Sequence, residues 1–357
     1  MRIVILTSHL RVGGITRHVI DLAKGLFKNN KVWVVCSGGE GKRELDKAGI
    51  DFKYIPLNTK SILSIKVFYS LILLIIFAKR NKIDLIHAHT RVAQFLAFLV
   101  YKILGIKYVS TFHGFYRPHI FRKLMKFEGI KTIAVSNAVK EHLIKDLKVA
   151  NYKIEVIYNG IDRQASLVRK YRKIDFGFSE DTITLGILGR ISLEKGHFLV
   201  VEAFNLLKEK YKNAYLLVCG KGKLENKLKV FVEKLHLKER VKFFLLEGRE
   251  FLDIVDILLV ASFKEGFGYT ILEAFAKGVC VVGFSTGGIK EIIRDRYNGL
   301  LFYEYKPLCL KDVIEEFITN NNLRERIREN AKLSLNDFSY KLMVSKTEEV
   351  YRQLVCP

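Results

Sequence analysis

The residues best suited to chemistry lie in one glycine-rich stretch, Glu265–Gly278, with the sequence EGFGYTILEAFAKG. Its two carboxylates, Glu265 and Glu273, are eight positions apart, the first in a loop after a predicted strand and the second in a predicted helix. Glycines let backbone N–H groups approach a ligand, and a helix N-terminus favours an anion such as a diphosphate. A carboxylate there can hold sugar or ribose hydroxyls. Two glutamates alone would usually mark a solvated helix face, so it is the whole string that indicates a site.

A second candidate is the pair His87 and His89, which end another predicted strand in the sequence IHAHT. Alternate residues of a strand reach one face of a sheet, so the two rings could act together as metal ligands. A zinc site needs at least three protein ligands, and the sequence brings no third one into view. We therefore predict no metal site. The GKGKLE stretch at residues 220–225 lacks the G-x-G-x-x-G spacing, which argues against NAD, and we expect no cofactor.

These motifs are positioned by short β-branched runs that alternate with longer amphipathic stretches. The predicted strands span residues 2–7, 32–36, 84–88, 108–112, 132–135, 154–157, 183–188, 214–219, 241–244, 257–261 and 279–283. The predicted helices include residues 15–28, 197–210 and 224–235. This alternation predicts parallel sheets with helices on both faces. Because it restarts near Thr182 after a strand-poor stretch, we predict two doubly wound α/β domains whose ligands lie beyond the carboxyl ends of the strands.

Composition bounds the class of protein. A chain of 357 residues suits two domains, and its five scattered cysteines indicate reduced thiols in a cytoplasmic protein. The net charge of +23 is uneven: residues 1–165 hold 28 Lys/Arg and 11 Asp/Glu, or +17, and the remainder holds 32 and 26, or +6. A basic excess in the first half favours an anionic membrane, a phosphorylated substrate or nucleic acid as partner. The alternative is a solvated lysine-rich surface.

One apolar segment, Ile62–Ala78, raises the question of a membrane. As a helix it would be about 26 Å long, below the ~30 Å of a hydrocarbon core, and Lys66 interrupts it. We expect a core helix, with interfacial contact as the first alternative and a membrane span as the last. Basic residues flank the segment and suit an interfacial helix: Lys60, Lys79, Arg80 and Lys82.

The string from Glu265 to Glu273 resembles the Glu-x7-Glu signature of retaining family 4 glycosyltransferases, which have the GT-B fold. Further landmarks of that family follow in the same order: Gly13-Gly14, His113-Gly114, Asn159-Gly160-Ile161-Asp162, Arg190 with Lys195-Gly196, Gly220-Lys221-Gly222, and Gly287-Gly288 before Glu291. The resemblance spans roughly residues 1–350. It implies two Rossmann-like domains facing across a cleft: an acceptor domain (1–166) and a donor domain (167–337), with a helix at 338–354 packing back on the first.

The resemblance also implies a role for each motif residue. Arg190 and Lys195 would bind the donor diphosphate, Glu265 a hydroxyl of the transferred sugar and Glu273 the ribose, while His113 would lie near the reacting centre. The remaining predicted donor-binding residues act through the backbone: Gly13, Gly14, Gly220, Gly266, Phe267 and Gly268. Retention implies front-face attack with an oxocarbenium-like transition state, in which Glu265 is no covalent nucleophile. The sequence departs from the family at Cys280 and Lys290, where proline is common.

The predicted function is therefore a metal-independent transfer of a hexose or N-acetylhexosamine from a nucleotide-sugar. We favour a UDP-sugar over GDP-mannose as donor, and a lipid-linked or envelope saccharide as acceptor because the basic excess lies in the acceptor domain. We expect a cytoplasmic protein, peripheral on the inner face of an anionic membrane, without nucleic acid as partner. Two alternatives remain: a nucleotide-sugar epimerase of the same fold, and a non-catalytic nucleic-acid binder, which leaves the Glu265–Glu273 string unexplained.

Overall fold

The computed structural model describes residues 1–59, 61–118, 120, 124–163 and 169–355. The chain forms two compact units, the first comprising Met1–Gly160 and Ser339–Pro357 and the second comprising Ile161–Phe338. The predicted domain boundary at Ser166 lies outside the described residues.

In the described part of the first unit, seven strands form one parallel sheet in the order β3-β2-β1-β4-β5-β6-β7. The strands are β1 (Arg2–Leu6), β2 (Lys31–Cys36), β3 (Asp51–Tyr54), β4 (Leu85–Ala88), β5 (Lys107–Phe112), β6 (Lys131–Ala134) and β7 (Ile154–Val156). The helices are α1 (Gly14–Leu26), α2 (Lys42–Lys47), α3 (Ile65–Arg80), α4 (Arg91–Leu104), α5 (Asn137–Lys145) and, from the end of the chain, α13 (Tyr340–Val355).

The central strands of this sheet are almost continuously apolar, as expected where helices cover both faces. All residues of β4 and all but the first of β1 and β5 are buried. Helix α13 packs on this unit because Met343, Val350, Tyr351 and Leu354 recur at helical spacing and enter the same core as the apolar side of α1.

In the described part of the second unit, six strands form a parallel sheet in the order β10-β9-β8-β11-β12-β13. The strands are β8 (Ile183–Leu188), β9 (Ala214–Cys219), β10 (Val241–Phe244), β11 (Ile257–Val260), β12 (Cys280–Phe284) and β13 (Leu300–Phe302). The helices are α6 (His197–Leu207), α7 (Glu225–Lys234), α8 (Gly248–Phe251), α9 (Tyr269–Lys277), α10 (Ile289–Ile292), α11 (Pro307–Thr319) and α12 (Asn321–Ser334). Two edge strands, the polar β3 and the short β13, were not predicted from the sequence.

The expectation of a core helix at Ile62–Ala78 needs correction. Helix α3 begins at Ile65 and ends at Arg80, and only one of its faces is buried. The opposite face carries a stripe of exposed apolar side chains at helical spacing: Ile65, Phe68, Tyr69, Ile72 and Ile76, which are 44–83% exposed. Within the described residues, no helix has the length and apolar character needed to cross a membrane.

Candidate functional site

The glycine-rich loop of the second unit joins β11 to α9. Glu265 lies in this loop, and Gly268 caps the start of the helix. The loop packs directly against Gly288: the backbone N–H of Gly288 donates to the carbonyl oxygen of Glu265 at 2.9 Å, and a Cβ at Gly288 would lie 2.6 Å from the Gly266 oxygen and from the Phe267 Cα. Only glycine permits this close approach. The backbone at Gly288 therefore holds the loop in place.

Phe267 contributes to this loop through packing. Its side chain is buried and its ring lies against the rings of Tyr269 and Phe338, with centroids 5.9 and 6.0 Å away. Such a ring fixes the loop conformation and leaves the backbone as the part of Phe267 that can face a ligand. The backbone role of Phe267 stays a prediction.

Lys195 and Glu265 form the ion pair at the centre of the predicted donor site. Their Nζ and Oε2 atoms are 2.6 Å apart, although 70 residues separate them in sequence. Lys195 ends a short 3₁₀ turn after β8, and both side chains are largely buried. A partly buried cation beside a carboxylate suits a ligand with both a diphosphate and sugar hydroxyls.

Arg190 lies differently from Lys195. Its guanidinium bonds Glu194 at 2.9 Å and its side chain is 70% exposed. The structure therefore brings Lys195 into contact with Glu265 and leaves Arg190 at the surface of the second unit.

Glu273, the predicted ribose ligand, has a neighbour that sequence reasoning missed. Arg249, on α8 after β10, places Nε 3.3 Å from a carboxylate oxygen of Glu273. One terminal nitrogen of Arg249, Nη2, is buried and has no hydrogen-bond partner among the described residues. The sequence feature that could have indicated Arg249 is a Gly-Arg pair after a strand. It occurs at Gly248-Arg249 after β10, as it does at Gly189-Arg190 after β8.

The helix that carries Glu273 is held by a buried ion pair. Lys277, at the end of α9, places Nζ 2.5 Å from Asp253, and both side chains are essentially inaccessible to solvent. Removing one partner of such a pair leaves an uncompensated buried charge. The pair therefore anchors α9 and, with it, the position of Glu273.

Gly220 brings the loop after β9 against the loop after β8. Its φ of +138° favours glycine, and a Cβ there would overlap the carbonyl oxygen of Gly189. Because β9 and β8 are neighbours, these two loops lie together at the carboxyl edge of the sheet, where the ligands of doubly wound sheets bind. The second unit thus assembles its predicted donor residues at one edge.

The predicted residues of the first unit lie at the corresponding edge of its own sheet. Gly13 and Gly14 begin α1 after β1, and His113 follows β5. Nε2 of His113 lies 3.2 Å from Nδ1 of His89, and the His113 ring meets the ring of His18 edge-on with centroids 4.8 Å apart. Sequence reasoning did not connect His18 with this position.

Burial keeps these imidazoles neutral. It lowers the pKa of His18 to about 4, against a smaller upward effect of the hydrogen bond to Asn159. Burial, followed by the neighbouring histidines, lowers the pKa of His89 and of His113 well below the usual value. His113 thus presents a neutral ring at neutral pH.

Residues 169–334 match the family described as Glycosyl transferases group 1, and residues 12–165 match Glycosyltransferase Family 4. Between them the two matches cover most of the chain. The chain belongs to glycosyltransferase family 4. The predicted family and the predicted GT-B class, two Rossmann-like α/β units, are confirmed.

Relatives of this glycosyltransferase extend over most of its length. An uncharacterized glycosyltransferase of Methanocaldococcus jannaschii is 26% identical, covering 96% of this chain and 94% of the relative. The UDP-Gal:alpha-D-GlcNAc-diphosphoundecaprenol alpha-1,3-galactosyltransferase of Escherichia coli is 26% identical, covering 85% and 84%. The structure of Anabaena HepE in complex with UDP and glucose superposes with a TM-score of 0.87 at 21% identity, covering 99% and 100%, which supports the shared fold. None of these matches favours an epimerase or a nucleic-acid binder.

Proposed function

We propose that this glycosyltransferase moves a hexose or N-acetylhexosamine from a nucleotide-sugar to a lipid-linked or envelope saccharide, with retention of configuration. The observation that carries the proposal is the 2.6 Å pair of Lys195 and Glu265 beside the glycine-rich loop. It supplies a cation for a diphosphate and a carboxylate for sugar hydroxyls in one place. A UDP-sugar is the favoured donor, and GDP-mannose is the alternative.

Different residues of the second unit bind different parts of the donor. Lys195, assisted by the exposed Arg190, stabilises charge on the departing diphosphate, while Glu265 accepts from a sugar hydroxyl. Glu273 accepts from the ribose, and Arg249 holds that carboxylate in place. The backbone N–H groups from Gly266 to Gly268 complete the cradle at the start of α9. Preorganised donors of this kind act where charge develops in the transition state.

The first unit supplies the acceptor side of the reaction. His113, neutral through burial, contributes its ring and main chain to the reaction, and Gly13-Gly14 leave backbone N–H groups open to a phosphate. Attack from the front face through an oxocarbenium-like transition state gives retention, and Glu265 is assigned no covalent role.

The relatives support the choice of substrates. The Escherichia coli relative is described as using UDP-Gal and a diphosphoundecaprenol-linked acceptor, and HepE was solved with UDP and glucose. The excess of +17 in residues 1–165 suits an acceptor that carries phosphate.

A donor screen tests this function. The protein is incubated separately with radiolabelled UDP-glucose, UDP-GlcNAc, UDP-galactose and GDP-mannose, with and without membranes carrying lipid-linked acceptors. Transfer of label to the lipid fraction from one donor is expected. Release of a free altered sugar would instead indicate an epimerase, and no turnover of any donor would contradict the proposal.

Transfer is expected to be independent of divalent metal ions, because Lys195 and Arg190 carry the positive charge that a metal supplies elsewhere. Excess chelator should leave the rate of transfer within about twofold of the untreated enzyme, which is less than 0.5 kcal/mol in the barrier. The check is the initial rate before and after chelation. A collapse of the rate that manganese or magnesium restores would refute the prediction.

We further propose that the protein is cytoplasmic and associates peripherally with anionic membranes through α3. The exposed stripe, defined as Ile65, Phe68, Tyr69, Ile72 and Ile76, lies beside exposed basic residues: Lys66, Lys79, Arg80 and Lys82. An apolar stripe with basic flanks suits a helix lying in the lipid headgroup region. Each Lys or Arg near such a surface contributes about 1 kcal/mol.

Binding to anionic vesicles is expected, with little binding to neutral ones and release at high salt, because the Debye length falls from about 10 Å at 0.1 M to 3 Å at 1 M. Vesicle co-sedimentation measures it. Ile72→Asp should weaken binding several-fold, whereas the matched control Val230→Asp, at an exposed position on α7, should not. Equal binding to both vesicle types, or equal effects of the two substitutions, would contradict membrane association through α3. The basic residues beside α3 would then serve another partner.

A further inference from the structure

Three histidines of the first unit lie together although they are distant in sequence. His18 lies on α1, His89 follows β4 and His113 follows β5, and one ring nitrogen of each lies within 4.8 Å of one ring nitrogen of the others. Nitrogen ligands of a tetrahedral zinc ion, each 2.0–2.1 Å from it, are roughly 3.3–3.4 Å apart. Nδ1 of His89 and Nε2 of His113 form a 3.2 Å hydrogen bond, which matches that spacing; on zinc binding, its proton would move to the other nitrogen of the same ring.

His18 is oriented as a ligand by its neighbour Asn159. Nδ1 of His18 lies 2.8 Å from the side-chain oxygen of Asn159, which can only accept, so Nδ1 carries the proton and Nε2 keeps a lone pair. That Nε2 is buried and has no hydrogen-bond partner among the described residues. A buried acceptor without a donor is destabilising, and this one lies beside two other imidazoles. A carbonyl that fixes the tautomer is the usual support of a metal-bound histidine.

His87, which the sequence paired with His89, is excluded by its own contacts. Its Nδ1 bonds the hydroxyl of Tyr351 at 2.5 Å and its Nε2 bonds the hydroxyl of Thr111 at 2.6 Å. Both nitrogens are therefore used within the core. The sequence offered only His87 as a partner for His89 and no third ligand, because His18 on α1 and His113 after β5 are distant in the chain.

We propose that His18, His89 and His113 form a binding site for one zinc ion. Three imidazole nitrogens without thiolate or carboxylate suit zinc and its borderline neighbours. His113 is only partly buried, so a fourth ligand can come from solvent.

Occupancy of this site inhibits sugar transfer, a consequence that rests on the proposed function. Zinc occupies the lone pair of His113, so the ring can no longer hydrogen-bond or accept a proton at the reacting centre. The enzyme thus works without metal and is switched off by zinc, in keeping with the expected insensitivity to chelator.

Calorimetric titration of the chelator-treated full-length protein with zinc chloride tests the site. One zinc ion per chain is expected, and cobalt(II) should give the intense visible absorption of a four-coordinate ion. His18→Gln and His89→Gln should abolish this binding. Asn159→Ala, which keeps all three ligands, should weaken it 10- to 100-fold. The control His236→Ala removes an exposed imidazole of the second unit and should bind zinc normally.

Absence of one-to-one binding by the unchanged protein, or a six-coordinate cobalt spectrum, would overturn the site even if a histidine variant failed to fold. Equal zinc binding by folded His18→Gln and by the unchanged protein would do the same. Transfer that continues with zinc bound would overturn the inhibition alone. Binding is measured without substrate, so failure of the donor screen leaves the binding result standing.

Discussion

Replacing Lys195 with alanine is expected to lower kcat for sugar transfer by roughly 10²–10³-fold, the range for removing one preorganised group that stabilises transition-state charge. Lys195 pairs with Glu265 at 2.6 Å and is largely buried, so the change removes a cation from the diphosphate and leaves Glu265 without its partner. The measurement is steady-state kinetics with the donor identified by the screen.

Two comparisons make this prediction specific to the site. Arg190→Ala should have the smaller effect, about tenfold, because that side chain is 70% exposed and a hydrogen bond to a charged group contributes about 1.5–3 kcal/mol before solvent screening. Lys229→Ala removes an exposed lysine that pairs with Glu225 on α7 and should leave kcat unchanged. If Lys195→Ala and Lys229→Ala were equally active, Lys195 would have no part in the reaction.

Replacing Glu273 with alanine is expected to lower kcat/KM for the donor roughly 10- to 150-fold, because one charged hydrogen bond to the ribose is lost. Because the Glu273 side chain is mostly buried beside Arg249, solvent screens this hydrogen bond little, and the full loss of binding free energy is expected. Kinetics with the nucleotide-sugar, together with the affinity for the free nucleotide, measure the change.

Arg249→Ala and the double variant show how the two residues are connected. If Arg249 acts by holding Glu273, the single losses should not add in the double variant. Glu225→Ala, which removes a glutamate paired with lysine on α7, should keep full kcat/KM. Unchanged donor kinetics in a folded Glu273→Ala protein would remove Glu273 from the donor site.

Position relative to the predicted strands explains which residues of the candidate site could be predicted from the sequence. Glu265, Glu273, Arg190, Lys195 and Gly220 all follow strands, so their places at a carboxyl edge could be predicted. Arg249 was missed because an arginine after a strand is common and its partner Glu273 is 24 residues away. The ion pair depends on α8, which precedes β11, packing beside α9, which follows it.

Helix α3 shows a second limit of sequence reasoning. The segment is apolar around most of its circumference, so its composition favoured the core. Which face is covered depends on its neighbours: Val67, Leu74 and Ala78 pack into the core that includes α4. The opposite face remains exposed. Because that face is also apolar, the sequence pattern of the segment could not show which face would be buried.

The sequence by itself determined the alternation of apolar runs and amphipathic helices, and hence two parallel α/β sheets, because strand and helix periods are local properties. It also determined the donor motifs, whose spacing is set by one loop and one helix. The tertiary structure alone decided which charges meet, which face of α3 is exposed and that the rings of His18 and His113 join that of His87 beside His89. These depend on strand order and on helices packed across a sheet, where neighbours in space are tens to hundreds of residues apart in the chain.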